Sequence, residues 1–406
     1  MGKVATGLKV IDVDAHIVEP YDVWTSALGQ KWGARVPHVE RATRTNDFLL
    51  LTRPGDDVWV MGDGHSDDEL SVPVGCHATA GWSEPLPSHP PTMDQMHPSA
   101  YDPGARLRRM DEYGLYAQVL YPNVGGFGNA GFLALGDPDL KRDCVRVFND
   151  FMHDWCSEDP DRLIPLISTP FWDLEFALDE VERCAGRGHR GILFTWTPEA
   201  YGLPYLADPF WDPLWERCAA HEIPVNFHVG SGSFELKLGY RGNGFQVNYA
   251  RAVTAGTLSN AHALTEVISS GITLRHPRLK FVLVESGVGW VPFVLDMMLW
   301  MWQNSGVYQE RPELAGHSPL DIFRESIYST FWFEDVSVKA AVQALGDDHI
   351  MFETDYPHST SVAPGPNVAA KNPIDHIEDR FGGLTLPDDS VRKLLHANAA
   401  ALYHIA

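Results

Sequence analysis

Four side chains of the kind that bind divalent cations stand at the ends of apolar runs in this sequence. Asp14 and His16 lie two residues apart at the end of the run LKVIDV, so both side chains point to the same side of an extended strand. His228 follows PVNF and precedes a Gly-Ser-Gly stretch, which lets the chain turn away and leaves the imidazole exposed at the strand end. Asp355 follows IMFET. Two carboxylates and two imidazoles suit a borderline or hard cation, so this set predicts a site for a divalent metal ion.

Two further ionisable residues occupy the same kind of position. Glu285 ends the run KFVLV, and we expect its carboxylate to act as a general acid or base, with a salt bridge to a neighbouring Arg or Lys as the alternative. His358 comes three residues after Asp355, where it would either stabilise a developing oxyanion or hold Asp355 in place. For Glu19, which precedes a proline, we expect the plainer role of fixing a loop.

Eight short apolar runs, separated mainly by segments of helical period, must position these residues. The predicted strands are 8–14, 117–121, 163–168, 191–195, 224–229, 280–285, 327–330 and 350–354. The predicted helices are 137–157, 174–186, 213–221, 250–270, 291–304 and 335–345. This alternation is typical of an α/β fold in which a parallel sheet closes into a (β/α)8 TIM barrel, with catalytic residues at the carboxyl ends of the strands. An open doubly wound sheet is the alternative, but it usually has a glycine-rich turn after the first strand, where this chain has Asp-Ala-His-Ile.

Three segments interrupt the alternation, and we expect all three near the site because loops at strand ends build the active sites of barrels. Residues 30–101 are rich in Pro, Gly, His and Asp and are predicted to form an insertion after the first strand, over the barrel mouth. Residues 232–248 and 364–372 are predicted to be shorter insertions. Histidines in the longest insertion are irregularly spaced, which indicates surface or packing roles: His65, His77, His89 and His97.

The composition limits the kinds of partner. Of the 406 residues, 44% are hydrophobic and 21% charged, which is typical of a globular protein with a large core. The formal net charge of -23 disfavours nucleic acid and anionic membranes as partners. It says little about the small-molecule substrate that we expect, and a locally positive pocket would still allow an anionic one. The five cysteines show no CxxC spacing, and we find no apolar signal core and no transmembrane run, so a cytoplasmic location is expected. Since neither a repeat nor a linker is evident, we expect a single domain over residues 1–406.

Longer motifs around the candidate residues give the chain a resemblance to a known family. The motifs are DVDAH at 12–16 followed by Glu19-Pro20, MDEYG at 110–114, ND at 149–150, PDRL at 160–163, FHVG at 227–230, ESG at 285–287, TDYPH at 354–358, and Asn398 with Tyr403. With them the sequence resembles, over nearly its whole length, the amidohydrolase superfamily, in the group that includes aminocarboxymuconate semialdehyde decarboxylase.

The resemblance implies one catalytic metal ion bound by Asp14, His16, His228 and Asp355, with water or substrate completing its coordination. The first motif of the family is commonly HxH, and Asp14 is a tolerated variant of it. Such an ion lowers the pKa of its bound water to about 7 or polarises a substrate oxygen. Zn²⁺ is the first expectation, with Mn²⁺ and Fe²⁺ as alternatives. The resemblance also implies a homo-oligomer, with a dimer as the first expectation.

One departure from the family bears on the reaction. Decarboxylases of this group usually carry a histidine where this chain has Glu285, and some C–C hydrolases of the superfamily use a glutamate at a comparable place. The leading expectation is therefore a hydrolase that cleaves a C–N or C–C bond in a small, cyclic or aromatic carbonyl compound. In it Asp355 helps to activate water, while Glu285 and His358 move protons. The alternative is a metal-dependent non-oxidative decarboxylase of an aromatic or muconate-like acid. A binding protein without turnover is a third hypothesis, against which the intact set of four donors argues.

Overall fold

Parallel strands built from the apolar runs dominate the computed structural model, which describes residues 7–45, 52–62, 73–233, 241–362, 372–384 and 386–406. Its strands are β1 Val10–His16, β2 His38–Arg41, β3 Asp57–Val60, β4 Leu115–Tyr121, β5 Leu163–Pro165, β6 Ile167–Ser168, β7 Ile192–Leu193, β8 Val225–His228, β9 Phe281–Val284, β10 Ile327–Phe331 and β11 Ile350–Phe352. All eight predicted strands are confirmed in position, with ends that move by at most two residues. The predicted strand 163–168 is divided into β5 and β6 by Leu166.

Helices follow most of the parallel strands. They are α1 Val23–Trp32, α2 Pro103–Tyr113, α3 Pro138–Cys156, α4 Leu174–Ala185, α5 Asp212–Ala220, α6 Phe245–Gly256, α7 Asn260–Ser270, α8 Ile272–Arg275, α9 Val291–Asn304, α10 Val307–Glu310, α11 Pro319–Ser326, α12 Ser337–Leu345, α13 Pro373–Leu384, α14 Asp388–Arg392 and α15 Asn398–Leu402. Five of the six predicted helices are confirmed to within two residues. The prediction of one helix over 250–270 is wrong: α6 and α7 are separated by a 3-10 turn at Thr257–Ser259, where Gly, Thr and Ser lower the helical propensity. Among the described helices, none is long and apolar enough to span a bilayer.

The parallel strands form two sheets. One has the order β1-β4-β5 and the other β11-β10-β9-β8-β7-β6. β5 runs on into β6, and at the opposite edge Ala15 forms a parallel bridge with Tyr356, beyond β11. There the amide of His16 donates to the carbonyl of Tyr356 at 2.6 Å, and the amide of Asp355 donates to that of Asp14 at 2.9 Å. The α/β fold with parallel strands in chain order is therefore confirmed.

The predicted insertion at 30–101 is wrong at its start, because α1 continues to Trp32, and its place over the barrel mouth stays a prediction. In its described part, β2 and β3 form an antiparallel pair, followed by short 3-10 turns. The predicted loop 232–248 is wrong at its end, since α6 begins at Phe245, and residues 234–240 lie outside the described chain. Nearly all of the predicted loop 364–372, and His65, also lie outside it.

Apolar side chains fill the space between the strands and fix which end is free for chemistry. Val13, Val119 and Val284 belong to a fully buried cluster that also contains Leu402 and Tyr403 from the C-terminal helix α15 and the turn after it. The Tyr403 hydroxyl donates to Asn226 Oδ1 of β8 at 2.6 Å. The C-terminal segment thus packs against the interior of the strands, and the strands' carboxyl ends remain available for a site.

Candidate metal centre

The four predicted ligands come together at the carboxyl ends of β1, β8 and β11. His16 Nε2 lies 3.2 Å from His228 Nε2, 3.3 Å from Asp14 Oδ1 and 3.5 Å from Asp355 Oδ1. His228 Nε2 lies 3.4 Å from Asp14 Oδ2. All four residues are buried. The predicted convergence is therefore present, but the expected exposure of His228 is wrong, because the ring of Phe127 covers it with a centroid distance of 4.0 Å.

Backbone carbonyls set the direction in which both imidazoles present a lone pair. His16 Nδ1 lies 3.4 Å from the carbonyl oxygen of Pro122, and His228 Nδ1 lies 2.8 Å from that of Val229. Since a carbonyl oxygen only accepts, Nδ1 carries the hydrogen in each ring. Each Nε2 then faces the other ring and Asp14, and in the neutral imidazole this atom is the one that can bind a metal ion, which is the arrangement that orients histidine ligands around a metal ion.

Three carboxylate oxygens in this centre have imidazole nitrogens as neighbours but accept no hydrogen bond. They are both carboxylate oxygens of Asp14 and Oδ1 of Asp355, all of which are buried. Oxygens of Asp14, Glu285 and Asp355 lie within 4.8 Å of one another. Burying carboxylates without compensation is costly, and a divalent cation would compensate this group directly. The donor set therefore fits a metal ion, and binding itself stays a prediction.

The electrostatics of the site are those of crowded, desolvated carboxylates. Burial raises the pKa of Asp355 well above its ordinary value, and the nearby Asp14 adds to this. Burial likewise raises the pKa of Glu285, with a further contribution from Asp355. Burial opposes ionisation of Asp14 as well, but His228 and His16 hold its pKa below the ordinary value. Burial lowers the pKa of His16 to about 3, so this imidazole is neutral and able to act as a ligand.

Glu285 lies directly after β9 in the left-handed region, with φ 54°, the same value as Asp355. Its amide donates to Glu353 Oε2 at 3.1 Å, which stabilises this unfavourable conformation. Its Oε2 lies 3.4 Å from His228 Nε2, and its Oε1 lies 3.4 Å from the hydroxyl of Thr360, which donates to the closer Oδ2 of Asp355. These contacts place the carboxyl group beside the centre, as the prediction of an acid or base role requires. That role itself is untested.

His358 contacts Asp355 and stacks on a predicted ligand. Its Nδ1 lies 2.8 Å from Asp355 Oδ1, and its ring lies 3.8 Å from that of His16 at 22°. Its Nε2 lies 2.9 Å from Asn123 Oδ1. Burial lowers the pKa of His358 to about 3. Of the two predicted roles, holding Asp355 in place is the one this geometry favours.

Glu19 fixes the loop that carries Asn123. Its Oε1 accepts from the amides of Asn123 and Val124 at 2.8 and 3.0 Å, which agrees with the predicted structural role. Burial raises the pKa of Glu19 to about 7. Through Asn123 it connects the loop after β4 with His358.

A cavity of about 330 Å³ opens beside the centre. Its walls include Leu86, Phe127, Tyr249 and Val253, while Glu285, His358 and Thr360 lie at the edge shared with the centre. This size suits a small molecule with one ring. His77 also lines the cavity, with its ring 5.7 Å from that of His358, and its predicted surface or packing role stays a prediction. The position of His89 agrees with the predicted packing role, since its Nε2 lies 3.1 Å from Oδ2 of the buried Asp56. His97 accepts from the amide of Ser99 at 3.2 Å.

Sequence reasoning missed Phe127, although a signal for its loop was present. It lies in the stretch Gly-Gly-Phe-Gly after β4. A Cβ on Gly128 would lie 2.5 Å from the carbonyl oxygen of Ser231, so only glycine lets this loop approach the loop after β8. Tyr249 and Thr360 were missed as well, because nothing in their local sequence distinguishes them from packing residues.

Comparison with known proteins shows that this chain is similar in sequence to enzymes. A family profile described as Amidohydrolase matches residues 11–405. A gamma-resorcylate decarboxylase from Polaromonas sp. strain JS666 is 26% identical over 309 residues, which cover 74% of this chain and 86% of the relative.

Solved structures show the same fold. An amidohydrolase from Mycobacterium avium subsp. paratuberculosis K-10 superimposes with a TM-score of 0.71 at 22% identity, over 98% of this chain and 99% of the other. A 5-carboxyvanillate decarboxylase from Novosphingobium aromaticivorans DSM 12444, complexed with manganese and 4-hydroxy-3-methoxy-5-nitrobenzoic acid, gives 0.63 at 19% identity, over 98% and 96%.

Proposed function

Since the chain belongs to the amidohydrolase family, we propose that it is a metal-dependent decarboxylase that removes CO₂ from a small aromatic acid. The observation that carries the proposal is the buried group of two imidazoles and two carboxylates, three of whose oxygens accept no hydrogen bond. The curated relative at 26% identity is a decarboxylase of an aromatic acid, which favours this reaction over the hydrolysis expected first.

Asp14, His16, His228 and Asp355 would hold the cation in this proposal. A bound divalent ion supplies a Lewis acid that polarises substrate oxygens. The manganese in the related 5-carboxyvanillate decarboxylase supports Mn²⁺ at least as well as the Zn²⁺ expected from the ligand types.

Glu285 is the proton donor in the proposed reaction. Three carboxyl groups within 4.8 Å cannot all be charged, and Glu285 is the one outside the predicted ligand set, so it carries the proton. Its carboxyl group lines the cavity beside His228, where the ring carbon that bears the substrate carboxylate would lie. The proton passes from Glu285 to that carbon. The bond to the carboxylate then breaks, CO₂ leaves, and the electron pair of the bond restores the aromatic ring.

The remaining residues bind and orient the substrate. Leu86, Phe127 and Val253 offer an apolar wall to the ring and exclude water from the carbon that receives the proton. His358 keeps Asp355 in position through the contact at 2.8 Å. The cavity volume of about 330 Å³ lies at the lower end of the range for small-molecule sites, which agrees with a substrate of one ring.

We also infer that the two sheets form one closed eight-stranded barrel and that the chain is one domain. The continuity of the chain from β5 into β6 and the bridge between Ala15 and Tyr356 support closure, and the unbroken family match over residues 11–405 supports a single domain.

The test is turnover of benzoic acids by protein loaded with Mn²⁺ or with Zn²⁺. We expect release of CO₂ from a 2,6-dihydroxybenzoate or a 5-carboxyvanillate, about one equivalent of metal in the wild type, and loss of both in His228→Ala. His189→Ala, which changes a buried histidine between α4 and β7, is the matched control and should keep both. Metal binding without CO₂ release from any aromatic acid would contradict the decarboxylase while leaving the metal centre intact.

Hydrolysis is the second candidate, and Glu285 is the observation that favours it. A glutamate beside the centre can take a proton from an attacking water as well as donate one to carbon. Turnover in water labelled with oxygen-18 separates the two reactions. A hydrolase places the label in its product, whereas a decarboxylase forms an unlabelled ring product and takes up a solvent proton at carbon.

A further inference from the structure

The side chain of Arg106 lies close to the candidate metal centre, and the proposed reaction does not use it. Arg106 belongs to α2, and none of its surface is exposed to solvent. Its Nη2 donates to the carbonyl of His16 at 2.6 Å, and its Nε donates to that of Ser99 at 2.6 Å. Its Nη1 donates to Oε1 of Gln118 at 3.2 Å. Since a guanidinium group stays protonated inside proteins, a buried positive charge is bonded directly to the backbone of a predicted metal ligand.

Gln118 of β4 connects this charge to a buried carboxylate. Its Nε2 donates to Oδ2 of Asp12 in β1 at 2.8 Å. Asp12 also accepts from the amide and the hydroxyl of Thr354, at 2.8 and 2.6 Å, and from the amide of Asp14 at 3.2 Å. Arg106, Gln118 and Asp12 are here named the buried network. Its hydrogen bonds reach one predicted ligand, Asp14, and the residue directly before another.

The buried network lies where β1 meets the segment after β11. Two backbone hydrogen bonds join the two segments at this place. Arg106 contacts both segments, because its Nη2 bonds the carbonyl of His16 and its guanidinium carbon lies 4.8 Å from the centroid of the Tyr356 ring. Asp12 also contacts both, since it belongs to β1 and accepts from Thr354. The buried network therefore holds together one segment with two predicted ligands and another segment with a third.

The geometry of the metal centre depends on the separation of these two segments. Asp355 has φ 54° and directly follows the amide that Asp12 holds, so the direction of its carboxylate depends on that contact. Metal ligands have to be placed to within about 0.5 Å, and the groups that support them fix this placement. We propose that Arg106 is a positioning residue that holds the segments of His16 and Asp355 at the separation that a bound metal ion requires. The proposal rests on the metal centre of the proposed function and adds no step to the reaction.

Arg162 offers a matched comparison at the amino end of β4. Its Nε donates to the carbonyl of Tyr116 at 2.7 Å, and its Nη2 donates to Oδ1 of Asp111 at 2.7 Å. It bonds a backbone carbonyl and a side chain, as Arg106 does, but at the end of the strand away from the candidate centre. If both arginines only stabilise the fold, replacing either of them should have no specific effect on metal binding.

Isothermal titration of Mn²⁺ into the metal-free full chain tests the proposal. We expect Arg106→Met to bind the ion about 10–100-fold more weakly than the wild type, as is usual when a group that supports a metal ligand is lost. Arg162→Met should keep the wild-type affinity. Arg106→Lys should recover part of the affinity, because lysine keeps the charge but lacks the planar set of donors. Far-ultraviolet circular dichroism shows whether each variant is folded. Gln118→Met, which interrupts the buried network at its centre, replaces Arg106→Met if that variant does not fold.

Hydrogen exchange of the metal-free proteins gives a second readout that needs no metal ion. The amides of His16 and Asp355 donate across the junction of the two segments. Peptides that contain these two residues should therefore exchange faster in Arg106→Met, and at the wild-type rate in Arg162→Met. Peptides from β8 and β9 should exchange alike in all three proteins.

Two results of the titration would overturn the proposal. They are wild-type affinity for Mn²⁺ in the folded Arg106→Met variant and an equal loss of affinity in Arg162→Met. A wild type that binds no Mn²⁺ would refute the metal centre of the proposed function. In that case faster exchange of the two peptides in Arg106→Met would still support the positioning role, and unchanged exchange would overturn it.

Discussion

The Nε2 atoms of His16 and His228 face each other at 3.2 Å, although 212 positions separate the two residues in the chain. β1 and β8 belong to different sheets, and both end at this point. The two nitrogens are within hydrogen-bonding distance of each other when one of them carries a proton, and a cation beside both would take the place of that proton. The carboxylate oxygens of Asp14, at 3.3 and 3.4 Å from these nitrogens, define where a cation would compensate both.

Asp14→Asn should weaken metal binding and destabilise the metal-free protein. The substitution keeps the shape but removes a buried charge that His228 and His16 stabilise, since they hold the pKa of Asp14 below its ordinary value. We expect metal affinity to fall at least 100-fold, and the unfolding free energy without metal to fall by about 1–3 kcal/mol. Isothermal titration and urea unfolding measure the two effects. Asp22→Asn, just before α1, is the control, and a full equivalent of tightly bound metal in Asp14→Asn would refute the assignment.

Glu285→Gln should stop proton transfer without releasing the metal. Glutamine keeps the size of the side chain but cannot exchange a proton, and general acid catalysis contributes roughly 10²–10⁴-fold to a rate. We expect kcat to fall by about that factor, with metal content unchanged. Glu334→Gln, a buried glutamate in the next loop, should keep its activity because the amide oxygen still accepts from Val288 and Gly289. Equal kcat for Glu285→Gln and wild type would exclude the proposed role.

Asn123→Ala should slow turnover through His358. The variant removes the partner at 2.9 Å that orients this imidazole against Asp355. Loss of a group that orients a metal ligand usually lowers metal affinity or activity by about 10–100-fold. We therefore expect kcat to fall within that range while the fold persists. The comparison is Asn372→Ala, whose amide donates to the carbonyl of Glu112 away from the site. If both variants lose activity equally, Asn123 acts through general stability instead.

Gly128→Ala should displace the loop that covers His228. The new Cβ would meet the Ser231 carbonyl at 2.5 Å, which neither backbone can avoid without moving. We expect a destabilisation of about 1–3 kcal/mol and a higher KM, because Phe127 moves with the loop. A Cβ on Gly29 in α1 would meet no atom within 4 Å, so Gly29→Ala should raise the unfolding free energy by less than ~1 kcal/mol. Thermal unfolding of both variants is the measurement.

His189 should make the protein sensitive to acid. Burial lowers its pKa from 6.5 to about 4 in the folded state, so between these values the unfolded chain binds more protons and stability falls as pH falls. His189→Leu should reduce the difference in unfolding free energy between pH 7 and pH 5 by on the order of 2 kcal/mol. Urea unfolding at both pH values measures it, with the exposed His262→Leu as control. If the difference in unfolding free energy between pH 7 and pH 5 is the same in His189→Leu and in the wild type, His189 does not contribute to the acid sensitivity.

The sequence by itself determined the strand positions and the four donors. Buried parallel strands appear as short apolar runs, and Asp14, His16, His228 and Asp355 each stand at the end of such a run. Their convergence follows from topology, because parallel strands end at the same edge. The break between α6 and α7 did not follow, since helical period continued through Thr257–Ser259 and only packing decided where the chain turned.

Tertiary structure alone decided the rest of the site. Phe127, Tyr249 and Thr360 come from loops after different strands, and no local pattern shows that they share one cavity. The burial of His228 also depends on a loop about 100 residues earlier, which lies against it because Gly128 permits the approach. Strand ends are encoded by periodicity, which is local in the chain, whereas the cavity walls depend on contacts between loops, which arise only when the chain is folded.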